Sequence, residues 1–246
     1  MIEKTVEIRT KDGTVDTFIC HPERNGPHPA VIFYMDAPAI REELRDMARR
    51  IATVGYYVML PNLYYRAGHG LELGPRASQE NTPERKRMFE LASSLNNGMI
   101  MDDTEGLLAY VDAQKEAKKG PMGCVGYCLS GQFVVSAAGR FPDRFAAAAS
   151  YYGVGMATDR PDSPHLLATK IKGELYIACA EIDRYAPMSM IEMLRGSLQK
   201  AGTKFEIELY PGTEHGFAFP LRHCFNKPAA ERHWERLFAL FRRNLG

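Results

Sequence analysis

Short apolar runs alternating with amphipathic helical stretches constrain this chain more than any other feature of its sequence. Residues 30–35 carry no charge on either alternating face, which is the pattern of a strand buried on both sides of a sheet. Residues 56–60 repeat it and stop at Pro61. Between them, residues 40–53 put Leu44, Met47, Ala48 and Ile51 on one helical face. Further strands are expected at 122–127, 146–152, 174–180 and 204–210, with helices at 84–92, 101–117, 129–141, 189–201 and 228–245. The last helix carries Trp234, Leu237, Phe238 and Phe241 on its apolar face. At the start, 5–8 and 15–20 form a hairpin through Lys11, Asp12 and Gly13. Strands joined by helices must run parallel, so an α/β fold is expected. Its mostly parallel central sheet has about seven to eight strands, flanked by helices on both faces. With no internal repeat or linker, residues 1–246 are expected to form a single domain.

Composition removes several functional classes. The chain is 45% hydrophobic and 25% charged, which rules out a disordered chain. A formal charge of +1 gives no field for nucleic acid or an anionic membrane, and the pairs Arg49, Arg50 and Lys118, Lys119 are too short to make one. No apolar stretch approaches the roughly 20 residues of a membrane span, and the first residues lack the apolar core of a secretory signal. Cys20, Cys124 and Cys179 fall inside strands, and five cysteines without regular spacing read as reduced thiols in the cytoplasm. Residues 64–83, rich in Gly and Pro, read as a long functional or mobile loop.

The most informative stretch joins the strand 122–127 to the helix after it. Gly126 and Ser130 stand two residues before and two after Cys128, and Gly131 follows. Small residues at those places let a strand and helix close on a strained turn that exposes the residue between them, the nucleophile elbow of the α/β-hydrolase fold. Centring the turn on Ser130 would put Gln132 in a small position, so Cys128 is the expected nucleophile. A thiol at a helix N-terminus feels the positive end of the dipole, and the Leu129 N–H points where an oxyanion would form. Taken alone, a cysteine is more often a small buried hydrophobe. Cys124 and Cys128 have no matching His or Cys pair for a metal, so none is expected.

The partners of an elbow nucleophile follow in the order acid, then histidine, each after a strand. Asp183 follows the strand 174–180 and His215 follows 204–210. His215 would shuttle the thiol proton and Asp183 would orient the imidazole. Glu181 is the rival acid, and Asp183 could instead cap the helix after Pro187. The strand 30–35 runs into Asp36, Ala37 and Pro38; Ala37 is the natural second oxyanion donor. Asp36 would either lie near the thiol or cap the next helix. A non-catalytic binding protein would be expected to lose one of the three residues, and a thiol redox protein would carry Cys-x-x-Cys, which is missing here.

On these residues, above all Gly126 to Gly131, the chain resembles the dienelactone hydrolase family over nearly its whole length, with Ser130 where that family usually has a second glycine. Residues 61–66 also resemble a run of the family. The resemblance implies a Cys-Asp-His triad at Cys128, Asp183 and His215 and hydrolysis of a carboxylate-bearing enol lactone such as dienelactone to maleylacetate. It also implies a resting thiol held by an acid, here Asp36 in place of a glutamate. The family's carboxylate-binding arginine falls on Phe219, which leaves Arg222 as its substitute, with Arg85 or Arg87 as candidates for the family's other arginine and Tyr127 beside the nucleophile as a further substrate contact. The expected protein is a cytoplasmic, cofactor-free hydrolase of a small ester or lactone, a monomer or homodimer; a general carboxylesterase or lactonase is the alternative.

Overall fold

A computed structural model describes residues 1–246, Pro75 by its backbone alone. The chain divides into two compact units, Met1–Gly120 and Pro121–Gly246. In the first, β1 (Ile2–Arg9) and β2 (Thr14–His21) pair antiparallel along their full length, from Ile2 opposite His21 to Arg9 opposite Thr14. β2 pairs antiparallel with β4 (Tyr57–Pro61), which pairs parallel with β3 (Ala30–Tyr34). Every residue of β3 and β4 is buried, as their unbroken apolar sequence demands.

The helices of this unit follow their apolar faces and caps. α1 (Glu42–Thr53) buries Leu44, Met47, Ala48, Ile51 and Ala52, with Glu42 and Glu43 in its first turn and Arg50 in its last, as the helix dipole favours. α2 (Pro83–Ser93) starts where Thr82 accepts the Arg85 N–H, and α3 (Asn97–Asp112) where Asn96 accepts the Met99 N–H. The Asn96 cap explains why α3 begins before residue 101, where periodicity alone would place it. The 64–83 segment contains the short 3-10 turns Tyr65–Ala67 and Pro75–Ser78. Ion pairs hold it: Arg66 with Asp103 at 2.9 Å, Glu72 with Arg45 at 2.9 Å, and Arg76 with Glu84 at 2.7 Å.

The second unit is a run of four parallel strands in the order β5 (Met122–Tyr127), β6 (Phe145–Tyr151), β7 (Glu174–Ile182), β8 (Phe205–Glu214). All four strands end at the same side, which is where loops of such sheets carry function. α4 (Gly131–Arg140), α5 (Met188–Ala201) and α6 (Lys227–Leu245) connect or follow them. The 3-10 turn Pro164–Lys170 between β6 and β7 has too little periodicity to be read in the sequence. α6 buries His233, Trp234, Leu237, Leu240 and Phe241, while Phe238 lies at the border, stacked on Trp234 at 5.4 Å. Among the described residues no helix is long and apolar enough to cross a membrane.

Leu237 is fully buried on α6. Leu237→Ala is expected to cost about 2–5 kcal/mol of stability through lost burial and a residual cavity, read as a lower urea midpoint with unchanged slope.

Candidate active site

The turn after β5 is strained. Cys128 has φ +53, in the left-handed region that costs a non-glycine residue about 1–3 kcal/mol unless its surroundings hold it there. Ser130, the rival nucleophile, sits at φ −83 and is fully buried. Two glycines make the turn possible by letting backbone approach backbone. A Cβ on Gly126 would stand 2.9 Å from the Ser130 carbonyl oxygen and from Val134 Cγ2, and one on Gly131 would stand 2.2 Å from the Gly153 Cα. The Cys128 carbonyl then accepts the Val154 N–H at 2.9 Å, tying the elbow to the segment after β6. Leu129 opens the turn into α4, and its carbonyl accepts from Gln132 Nε2 at 3.2 Å.

The strand register brings the next two residues together. β7 and β8 pair Ile182 with Glu214, so Asp183 and His215, one residue on, leave the sheet side by side. His215 Nδ1 donates to Asp183 Oδ2 at 2.8 Å, and the second carboxylate oxygen accepts the N–H groups of Tyr185 and Ala186 at 2.9 and 3.0 Å. The Asp183 side chain is only 2% exposed. Its oxygens are spent on the imidazole and its own loop, and α5 starts at Pro187 without a side-chain cap, so Asp183 is not a helix cap. Glu181 points elsewhere and accepts the Gly212 N–H at 2.7 Å.

The imidazole is walled by aromatic edges, Tyr152 with ring centres 5.1 Å away and Tyr185 at 4.9 Å. Burial alone would push the pKa of His215 down, but the charge of Cys128 and the Asp183 hydrogen bond push it up to about 10. The Nε2 atom is buried and makes no hydrogen bond of ordinary geometry. Neither Tyr152 nor Tyr185 stood out in the sequence, although Tyr152 directly follows a strand end, the same placement that singles out Cys128 and Asp183.

The remaining candidates sit in different settings. Tyr127 is fully buried, its hydroxyl 2.7 Å from His233 Nε2, so its side chain serves the interior of the fold rather than an approaching ligand. Arg222 lies with its guanidinium 4.8 Å over the Phe219 ring and 3.0 Å from where a Cβ on Gly216 would stand, next to the histidine. Cys224 donates to the His215 carbonyl at 3.3 Å. In the first unit, Asp36 is fully buried and bidentate with Arg41, at 2.6 and 3.2 Å. Arg41, not Asp36, is the residue at the start of α1, so the helix-cap alternative for Asp36 does not hold. Ala37 is nearly buried, its carbonyl accepting from Tyr64 at 2.9 Å, while Asn62 of the 61–66 run donates to Asp16 and Gly68. Arg85 lies over Phe89 and donates to the Ser78 carbonyl; Arg87 pairs with Glu90 at 3.3 Å.

A strained turn between a parallel strand and a helix, followed by an acid and a histidine on the next strand ends, is the arrangement of an α/β hydrolase. The model of the dienelactone hydrolase family matches residues 15–245, and the chain belongs to that family. It is a hydrolase of that fold. A relative from Synechocystis sp., named "Putative carboxymethylenebutenolidase", is 28% identical over 251 residues, covering 98% of this chain and 99% of its own. The crystal structure of a "Putative Dienelactone Hydrolase" from Klebsiella pneumoniae superposes with TM-score 0.84 at 23% identity, covering 98% of both chains. A dienelactone hydrolase-like promiscuous phosphotriesterase from metagenomic libraries superposes with TM-score 0.83 at 15% identity, covering 100% of this chain and 99% of its own. At such identities the superpositions establish the fold alone.

Because the folded pKa of His215 lies above the ordinary imidazole value of about 6.5, the native state holds a proton that the unfolded chain releases. The stability His215 contributes is full below about 6.5 and lost as pH rises toward 10. The gap in urea midpoint between wild type and His215→Gln is therefore expected to narrow steadily from neutral to alkaline pH; a widening gap would contradict the raised pKa.

Proposed function

We propose that the protein hydrolyses a small ester or lactone through a covalent thioester on Cys128, with His215 as proton carrier and Asp183 as its orienting acid. What carries this reading is the strained φ of +53 at Cys128 together with the 2.8 Å His215–Asp183 bond on the adjoining strand ends. In the resting pair the proton that His215 holds is the one given up by the Cys128 thiol, and the thiolate sulfur attacks the substrate carbonyl carbon. The oxyanion is received by the Leu129 N–H at the helix start. As the carbonyl re-forms, the C–O bond to the leaving oxygen breaks and His215 returns the proton to it. Water then loses a proton to the imidazole and attacks the thioester, and the sulfur leaves to recover its proton. Substrate and one water give the carboxylic acid and the alcohol or enol, with no redox change.

Within the family's chemistry the substrate class is a carboxylate-bearing enol lactone such as dienelactone, opened to maleylacetate. Arg222, beside Gly216, is the cation we assign to the substrate carboxylate. A second reading, a neutral ester, is favoured by exposed apolar side chains on or bordering the two loops that hold the acid and the base. Ile182 is 64% exposed, Met188 45% and Leu221 84%.

Cys128→Ala and His215→Ala are each expected to lower kcat by at least about a thousandfold without unfolding the protein, while Cys128→Ser falls lower than a simple oxygen-for-sulfur exchange suggests. Near-normal turnover in either alanine variant would refute the assignment. Steady-state kinetics on dienelactone and on neutral aryl esters separate the two substrate readings. If Arg222 reads a carboxylate, Arg222→Met lowers kcat/KM for dienelactone alone; an equal preference for neutral esters in both proteins supports the second.

A further inference from the structure

Two non-glycine residues of the second unit have backbones in the left-handed region, Cys128 at φ +53 and Tyr152 at φ +40. Both belong to the site described above: one is the proposed nucleophile, the other packs against the imidazole of His215. Strain of this kind persists only where the surroundings over-determine it. The residue before each is a buried tyrosine at the end of a strand, Tyr127 closing β5 and Tyr151 closing β6. These two rings stack on one another with centres 5.2 Å apart and planes 18° apart.

Both tyrosine hydroxyls end on one residue of α6. The Tyr127 hydroxyl lies 2.7 Å from His233 Nε2, and the Tyr151 hydroxyl donates to the His233 carbonyl at 3.0 Å. His233 Nδ1 lies 2.9 Å from the Ala230 carbonyl, which can only accept, so Nδ1 carries the hydrogen and Nε2 accepts from Tyr127. The imidazole is fully buried and stands edge-on to the Tyr151 ring at 4.5 Å. The rest of the buried face of α6 is apolar, Ala229, Ala230, Trp234, Leu237, Leu240 and Phe241. A leucine or phenylalanine would fill the same space without the desolvation cost of a buried imidazole, so packing alone does not account for a histidine here.

We infer that His233 is a positioning residue for the reaction: it fixes the two tyrosines whose following residues are the strained nucleophile and the aromatic wall of the base. It touches no substrate. Its effect travels through Tyr127 to the Cys128 backbone and through Tyr151 to Tyr152 and the His215 ring. This rests on Cys128 being the nucleophile, and Cys128→Ala tests that point separately.

The experiment compares His233→Phe, His233→Gln and Tyr127→Phe with wild type. It uses an aryl ester the wild type turns over, with active sites titrated by mass-resolved alkylation of Cys128. A glutamine amide can still accept from Tyr127, whereas phenylalanine cannot. His233→Phe is expected to lower kcat per titrated site by about 10- to 100-fold with KM within about twofold, the size of loss that sub-ångström misplacement of a reacting group produces. Its Cys128 alkylation slows in parallel, and His233→Gln regains most of both. Should His233→Phe fail to fold, Tyr127→Phe removes the same hydrogen bond by deleting one oxygen and must reproduce the split. A merely structural histidine would lower the yield of folded protein or its melting temperature and leave kcat per titrated site unchanged. That result, or an equal loss in His233→Gln and His233→Phe, overturns the inference. If Cys128→Ala itself stays active, the nucleophile assignment fails instead.

Discussion

Everything at the candidate site depends on one backbone constraint, the left-handed turn at Cys128. An L-residue is held there only if the chain on both sides is pinned, and the pinning takes three forms. Glycines at 126 and 131 remove the Cβ atoms that would collide with Ser130, Val134 and Gly153. The Cys128 carbonyl is tied to the Val154 N–H. The strand that delivers the turn is fully buried from Met122 to Tyr127, so it cannot relax toward solvent. An elbow of this kind exposes the residue at its apex beside the start of the following helix, which is the geometry the proposed attack on a carbonyl needs.

The acid and base come from a different device, the register of two parallel strands. Pairing Ile182 with Glu214 makes neighbours of residues 32 apart in the chain and gives the Asp183–His215 bond its length without a strained backbone. Electrostatics then build on that placement. A carboxylate whose second oxygen is saturated by two loop N–H groups has one direction left in which to accept, so it fixes Nδ1 as the imidazole nitrogen that carries the hydrogen toward it, and the proposed chemistry needs Nε2 for the sulfur. Two tyrosine edges pack against the ring, and in that low-dielectric setting the interactions between these charges are strengthened.

The fold was largely legible in the sequence, because the buried strands had unbroken apolar runs and α1 and α6 had clear apolar faces. Boundaries were less so. The start of α3 is set by the Asn96 cap, and the turn Pro164–Lys170 has no period to detect. At the site, Cys128, Asp183 and His215 could be named from spacing and order, since an elbow and two strand ends are local patterns. Tyr152, Tyr185 and His233 could not, because each matters through neighbours far away in the chain. Tyr127 and Asp36 show the converse: proximity in sequence to an expected site did not predict that one hydroxyl would be taken by His233 or that one carboxylate would be locked to Arg41.

By itself the sequence determined the α/β class, pointed to the family, and named Cys128, His215 and a choice of acid for the proposed chemistry, because apolar period, small residues around a turn and residues after strand ends are all properties of short stretches of chain. Only the tertiary structure decided which acid meets the histidine, which backbone is strained and which buried groups hold it so. Those outcomes depend on strand register and on helix α6 packing across two strand ends. Contacts between residues about 30 to 110 positions apart are fixed by the simultaneous packing of the whole second unit, and no local pattern encodes them.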